Sequence, residues 1–224
     1  MDASGLDKIR ISSSLYAVLA SCFSDEPSRK TLAQLKRNLI FLYKQRDKWK
    51  EPDVWSKVRA LKDSLRGLSA EEAVIDYTAL FLGGTEDSAC PSESCYLDHI
   101  LYGPTTLEVR AAYADRGFVK EASFQEPDDH VALEFLFRFL LGRDLAETAD
   151  KDGNDPPALA EHMRAHLDFV GNHLLKWIPL LSERIETSAQ TDFYRAIAAL
   201  ARTLVQGDYR LLVDLVKSRP DVFK

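Results

Sequence analysis

Cysteine is scarce: Cys22, Cys90 and Cys95 are the only three in 224 residues. So small and odd a number, without an export signal, predicts reduced thiols rather than a disulfide framework. The start of the chain, Met1-Asp-Ala-Ser-Gly-Leu-Asp-Lys8, lacks the cationic stretch and apolar run of a secretory leader, so the expected compartment is the cytoplasm. Apolar runs are short and interrupted, which excludes a membrane-inserted helix. Positive charge is in deficit: 29 Lys and Arg stand against 35 Asp and Glu, for a net charge of −6. That balance carries no nucleic-acid footprint. Alternating strand patterns and internal repeats are missing as well.

Helical periodicity is what remains. Leu15, Val18, Leu19, Cys22 and Phe23 follow the spacing of one buried helical stripe. Leu32, Leu35, Leu39 and Leu42 mark a second helix, and Trp55, Val58, Leu61 and Leu65 a third. Ser69-Ala-Glu-Glu72 reads as a capping box that opens a fourth, which Gly83-Gly84 stops. Residues 83 to 103 form a long irregular segment, and a loop of that length in a compact domain is usually functional or disordered. Pro104 starts the next helix, Pro127 another and Pro156 another. Thr187-Ser-Ala-Gln190 reads as a further capping box, Gly207 as a helix end, and Leu211 to Val216 as a last short helix. The expected fold is an all-α bundle. It divides into an N-terminal helical part, 1–120, and a C-terminal part, 121–224, which share a hinge at Phe118–Glu126 or form one continuous fold.

Enzyme signals are thin. Cys90 and Cys95, even with His99, fall short of the four ligands of a structural zinc site. His162, His166 and His173 share one face of a continuous helix, which makes a metal-dependent helical hydrolase the alternative reading. No glutamate stands between His162 and His166 in the register such sites use, and Gly171 interrupts the run. There is no phosphate-cradling glycine loop and no nucleophile elbow. A nucleotide-sensing role, a third reading, therefore has no recognisable site. Neither a metal nor another cofactor is expected.

The densest signal is Glu126-Pro127-Asp128-Asp129-His130, followed by the apolar run Val131 to Leu141. With Pro127 at the first helical position, Asp128 and Asp129 fall in the first turn, where the helix dipole favours negative charge. Such acids often do no more than stabilise their helix, by roughly 0.3–1 kcal/mol each. At the rim of an apolar core element they also suit a cationic, partly apolar partner. His130, at the same helix end, is disfavoured as a cation.

Four segments in order resemble the TorD/DmsD/NarJ family of redox-enzyme maturation chaperones. They are Tyr77-Thr-Ala-Leu80-Phe81-Leu-Gly83, Pro91-Ser-Glu-Ser94-Cys-Tyr96-Leu with Gly103 following, Glu126-Pro127-Asp128-Asp129-His130, and His173-Leu-Leu-Lys-Trp177-Ile-Pro179. The resemblance covers roughly residues 10 to 210. Departures are Ser92, where the family often carries an aromatic residue, and Leu181 after the late proline. The resemblance implies a TorD-like helical bundle, found as a monomer or a domain-swapped dimer. It implies a chaperone rather than an enzyme. Its client would be the twin-arginine leader or N-terminal region of a molybdenum oxidoreductase subunit, held until cofactor insertion. By resemblance the peptide-binding residues are Tyr77, Leu80, Phe81, Pro91, Gly103, Asp129 and His130, and the charge argument adds Glu126. Paired guanidinium groups call for carboxylate, and the leader's apolar run for an aromatic and aliphatic groove. Asp129 is the expected arginine acceptor.

Overall fold

The computed structural model describes residues 3–85, 87–151 and 156–218. These residues form an all-α protein, and no strand occurs among them. In chain order the helices are α1 (Ala3–Phe23), α2 (Arg29–Tyr43), α3 (Pro52–Ser64), α4 (Ala70–Tyr77), α5 (Glu93–Leu97), α6 (Pro104–Ala114), α7 (Val131–Lys151), α8 (Pro156–Phe169), α9 (Leu175–Ser188) and α10 (Asp192–Lys217). No helix of the described residues is long and apolar enough to cross a membrane.

Local chemistry sets several boundaries. The Ser69 hydroxyl accepts the Glu72 N–H, and the Glu72 carboxylate accepts the Ser69 N–H, so the capping box of α4 forms. The second expected box does not. α9 runs on to Ser188, and α10 opens at Thr191, whose side chain accepts the Tyr194 N–H. The buried Asp76 carboxylate of α4 takes the Gln190 and Thr191 N–H groups at 3.0 and 2.7 Å. A distant acid therefore caps this turn, which no local pattern reveals.

Two expected breaks are absorbed instead. α10 passes straight through Gly207, where a Cβ would meet Val54 Cγ2 at 3.3 Å. The glycine lets α10 lie close against α3, and Leu211 and Leu212 belong to the same helix. Gly171 sits in a π-helical turn, Val170–Leu174, that joins α8 to α9 without stopping the chain. A π turn inserts an extra residue into the ladder and shifts the faces that follow.

The core does not respect residue 120. α1 packs along α7, and α3 packs along α10. Tyr16 and Phe23 of α1 meet Phe135 of α7 at ring-centroid distances of 5.5 and 6.0 Å. The first half of α7, Val131 to Leu141, is apolar nearly all round and central, but it carries two buried ionisable residues, Glu134 and Arg138. Arg138 donates to both carboxylate oxygens of Asp208 on α10, each at 2.8 Å, and lies over the Tyr16 ring.

Candidate functional site

The site is built from two neighbouring parts, an aromatic cluster and a clamped loop. α4 ends in a π-helical turn, Thr78–Leu82. This turn brings Phe81 against Tyr77, Phe23 and Tyr194, with ring centroids 5.1, 5.7 and 5.8 Å away. Tyr77 and Leu80 are buried, Phe81 is half-buried, and Leu82 is exposed. Burial pushes the Tyr77 hydroxyl up to about 12, reinforced by the charges of Asp25, Glu126 and Glu26. Those three acids are exposed, and none forms an ion pair among the described residues. Phe81 is therefore the half-exposed edge of a buried aromatic cluster, with Leu82 exposed beside it and unneutralised carboxylates close by.

Pro127, Asp128, Asp129 and His130 are placed differently from the sequence expectation. Pro127 does not open α7; residues 127–130 form a turn, and the helix begins at Val131. Neither Asp128 nor Asp129 lies in its first turn. The expectation that Asp129 presents a free carboxylate at a groove rim is corrected. Asp129 is fully buried; one oxygen accepts the Ser94 N–H at 2.7 Å and the other the Thr106 hydroxyl at 3.1 Å. Asp128 is buried too and is neutralised by Arg110 at 2.6 Å and Lys120 at 3.5 Å. Of the acids in this motif, only Glu126 is exposed and unpaired among the described residues.

His130 stands where an N-cap stands. Its carbonyl accepts the Glu134 N–H, and its Nδ1 accepts the Ala132 N–H at 3.2 Å. Only a neutral ring can accept. Burial, reinforced by the Lys120 charge, lowers its pKa from 6.5 to about 4.

The loop after the aromatic cluster folds onto this turn. Pro91 accepts the Val131 N–H through its carbonyl at 2.8 Å, Ser92 pairs antiparallel with His130, and the Glu93 N–H donates to the Asp129 carbonyl at 3.0 Å. The expectation of reduced thiols is corrected for Cys90 and Cys95, which are joined in a disulfide. The first turn of α5 brings their Cα atoms to 6.3 Å, within bridging range. Cys22 is buried and free, its thiol pushed up to about 12 by burial. Farther along, Gly103 is tightly constrained: a Cβ there would lie 2.3 Å from Asp98 Oδ2. That same oxygen accepts the Thr105 N–H and caps α6. Leu97, Ile100, Leu101 and Tyr102 then form an exposed apolar tongue.

Beneath the loop is a buried polar cluster that sequence reasoning missed. Glu93 and Glu134 are both fully buried. His173 Nδ1 lies 2.9 Å from Glu93, and the Trp177 indole N–H donates to Glu134 at 3.1 Å. Burial raises both acids, that of Glu134 far above the usual carboxylate range, and the neighbouring Glu93 charge pushes Glu134 further up. Their only sequence signal is weak: Glu134 is the one acid in an apolar run, and His173 and Trp177 sit in a later segment.

The three histidines of the alternative reading are dispersed. His162 bonds Arg116 and Thr148, His166 is buried and held neutral by burial beside Arg138, and His173 turns to Glu93. No cluster of potential metal ligands forms among the described residues.

Comparison with known proteins agrees with this architecture. The family model described as nitrate reductase delta subunit matches residues 47–183. Chaperone protein TorD of Vibrio cholerae serotype O1 is 29% identical over 213 residues, covering 91% of this chain and 92% of the relative. TorD of Aliivibrio fischeri is 29% identical over 168 residues, covering 72% and 76%. TorD of Shewanella piezotolerans is 25% identical over 217 residues, covering 89% and 91%. A crystal structure from Archaeoglobus fulgidus, described as a redox enzyme maturation protein, has the same fold. Its TM-score is 0.58 at 15% identity, covering 87% of this chain and 93% of that one. The chain therefore belongs to the nitrate reductase delta subunit family, the TorD/DmsD/NarJ group of chaperones that its four motifs resemble, and not to a class of enzymes.

Proposed function

We propose that this chaperone of molybdoenzyme maturation acts in the cytoplasm. It binds the twin-arginine leader or N-terminal region of the client's catalytic subunit and holds it until cofactor insertion is complete. The observation that carries the reading is the aromatic cluster of Phe23, Tyr77, Phe81 and Tyr194 with Asp25, Glu26 and Glu126 unpaired nearby. A leader offers guanidinium groups to the carboxylates and an apolar, helix-prone run to the aromatic surface. Glu126 takes the arginine-accepting role first ascribed to Asp129. Phe81 presents the apolar wall, with buried Tyr77 and Leu80 packed behind it. Pro91, Gly103, Asp129 and His130 act by fixing the loop beside it. Net negative charge speeds encounter with a cationic peptide.

The test is isothermal titration with a synthetic twin-arginine leader peptide and with the same peptide carrying two lysines. Binding that weakens on Arg-to-Lys replacement and on raising salt supports the reading. Equal affinity for a scrambled peptide of the same composition would sink it.

A further inference from the structure

Every residue enclosed by Cys90 and Cys95 touches the 127–131 turn or the polar cluster beneath it. Pro91 accepts from Val131, Ser92 pairs with His130, Glu93 donates to the Asp129 carbonyl, and Ser94 donates to the Asp129 carboxylate. The Glu93 side chain reaches His173. The disulfide thus closes a ring around the clamp and around nothing else. α5, which carries two of these contacts, has only five residues. A helix so short does not sustain itself in water, so the cross-link and the clamp hold it jointly. Both sulfur-bearing residues are half-buried rather than sealed in the core, in contrast to Cys22. The clamp also holds Glu93 beside Glu134 out of water, a burial that is costly for either acid as an anion and is relieved when the loop lifts.

We propose that Cys90 and Cys95 form a reversible dithiol–disulfide site, whose reduction by a partner dithiol unclamps residues 90–95. On the leader-binding reading above, reduction also lowers affinity for the leader. The chemistry is thiol–disulfide exchange. A thiolate of the reductant attacks one sulfur of the pair, the S–S bond breaks, and the other cysteine departs as a thiolate and takes a proton. The reductant's second thiol then attacks its own sulfur in the mixed disulfide and frees the first cysteine. Two electrons and two protons pass to the pair, and the reductant becomes a disulfide.

The experiment uses the full chain, oxidised or treated with dithiothreitol under native conditions, with iodoacetamide trapping read by mass spectrometry. Two carbamidomethyl groups on Cys90 and Cys95, with Cys22 unmodified, are expected after reduction and none before. Hydrogen exchange at the Glu93, Ser94 and Val131 amides is expected to accelerate about tenfold or more, while the α10 amides stay protected. A Cys90→Ser/Cys95→Ser variant should exchange like the reduced protein. Leader affinity is expected to fall several-fold on reduction. Unchanged exchange at those three amides, or a pair that reacts only when the whole chain unfolds, overturns the proposal. Loosening of the loop in a protein that binds no leader in either state upholds the redox site and overturns the leader reading instead. Loosening with equal leader affinity in both states overturns the coupling between them.

Discussion

Arg138 of α7 and Asp208 of α10 form a two-pronged ion pair with both members fully buried. Ser12 and Ser13 of α1 accept further bonds from the same guanidinium at 3.4 and 3.3 Å. The pair therefore joins three helices that lie far apart in sequence. Arg138→Met should leave a buried, uncompensated carboxylate and cost roughly 3–5 kcal/mol. Arg138→Met/Asp208→Leu should recover much of that loss, because a packed apolar pair often replaces a buried ion pair at little cost. Urea denaturation of the wild-type, single and double variants checks both statements. A single variant as stable as wild type would show that the pair contributes nothing.

Most of the architecture was legible in the sequence, because helical spacing and capping chemistry are local. Most of the failures share one cause, which is partners distant in sequence; the Cys90–Cys95 bridge, between residues five apart, is the exception. Glu134 and Arg138 interrupt an apolar stretch four residues apart, yet one turns to Trp177 and the other to Asp208. Asp129 had the look of a first-turn acid at a rim because its true partners, Ser94 and Thr106, lie 35 and 23 residues away. Gly207 had the look of a helix stop, but it lies within the helix where α10 packs tightly on Val54. Tyr77 and Phe81 were named from their motif, whereas Asp25 and Glu26 come to act on Tyr77 because Phe23, just before them, packs on Phe81.

His130 should make the protein sensitive to acid. Its folded pKa is about 4 against an ordinary 6.5, so the unfolded chain binds the proton first. The stability it contributes is complete above pH 6.5 and is lost as pH falls toward 4. Between pH 7.5 and 5 the loss is about 2 kcal/mol. His130→Asn retains an acceptor for the Ala132 N–H without titrating, so its stability should change less over that interval. Urea midpoints at the two pH values decide the matter; an equally steep loss in the variant would assign the acid sensitivity elsewhere.

Glu134 works in the opposite direction. Its folded pKa is raised by burial and by the Glu93 charge, so the native state keeps a proton that the unfolded state loses near pH 4.5. Stability therefore falls as pH rises, by up to about 1.4 kcal/mol per pH unit for each carboxyl held neutral. From pH 7 to 8 the histidine transition is nearly complete, and the slope reports the buried carboxyls, Glu134 together with Glu93. Glu134→Gln keeps an oxygen for the Trp177 indole and should flatten the slope there. Wild type and variant falling in parallel would show Glu134 ionised in the native protein.

Gly103→Ala tests the loop by crowding. The new methyl would collide with Asp98 and displace the carboxylate that caps α6. A loss of about 1–3 kcal/mol is expected from overpacking and the lost cap. Asp98→Ala should lose the cap alone, and Gly103→Ala in that background should cost less than in wild type, because its collision partner is gone. Additive losses in the double variant would disprove the contact.

The sharpest contrast is between Glu126 and Asp129. Glu126 is exposed and unpaired among the described residues, so Glu126→Gln should leave the melting temperature within about a degree of wild type, as surface changes do. Its bond to a leader arginine would be solvent-screened, worth roughly 0.2–1 kcal/mol, which means about a 1.4- to fivefold rise in Kd. The salt dependence of binding should flatten in the same variant. Asp129→Asn should behave differently. Its buried oxygens receive the Ser94 N–H and the Thr106 hydroxyl, and an amide supplies one acceptor and a donor where two acceptors are needed. It should lower the melting temperature and loosen the 90–95 loop, with leader affinity falling as a consequence. Calorimetric titration at two salt concentrations, with thermal melts of each variant, separates the two roles. A Glu126→Gln protein with wild-type affinity and salt response would remove Glu126 from the leader site. An Asp129→Asn protein that melts like wild type but binds weakly would return the arginine contact to Asp129.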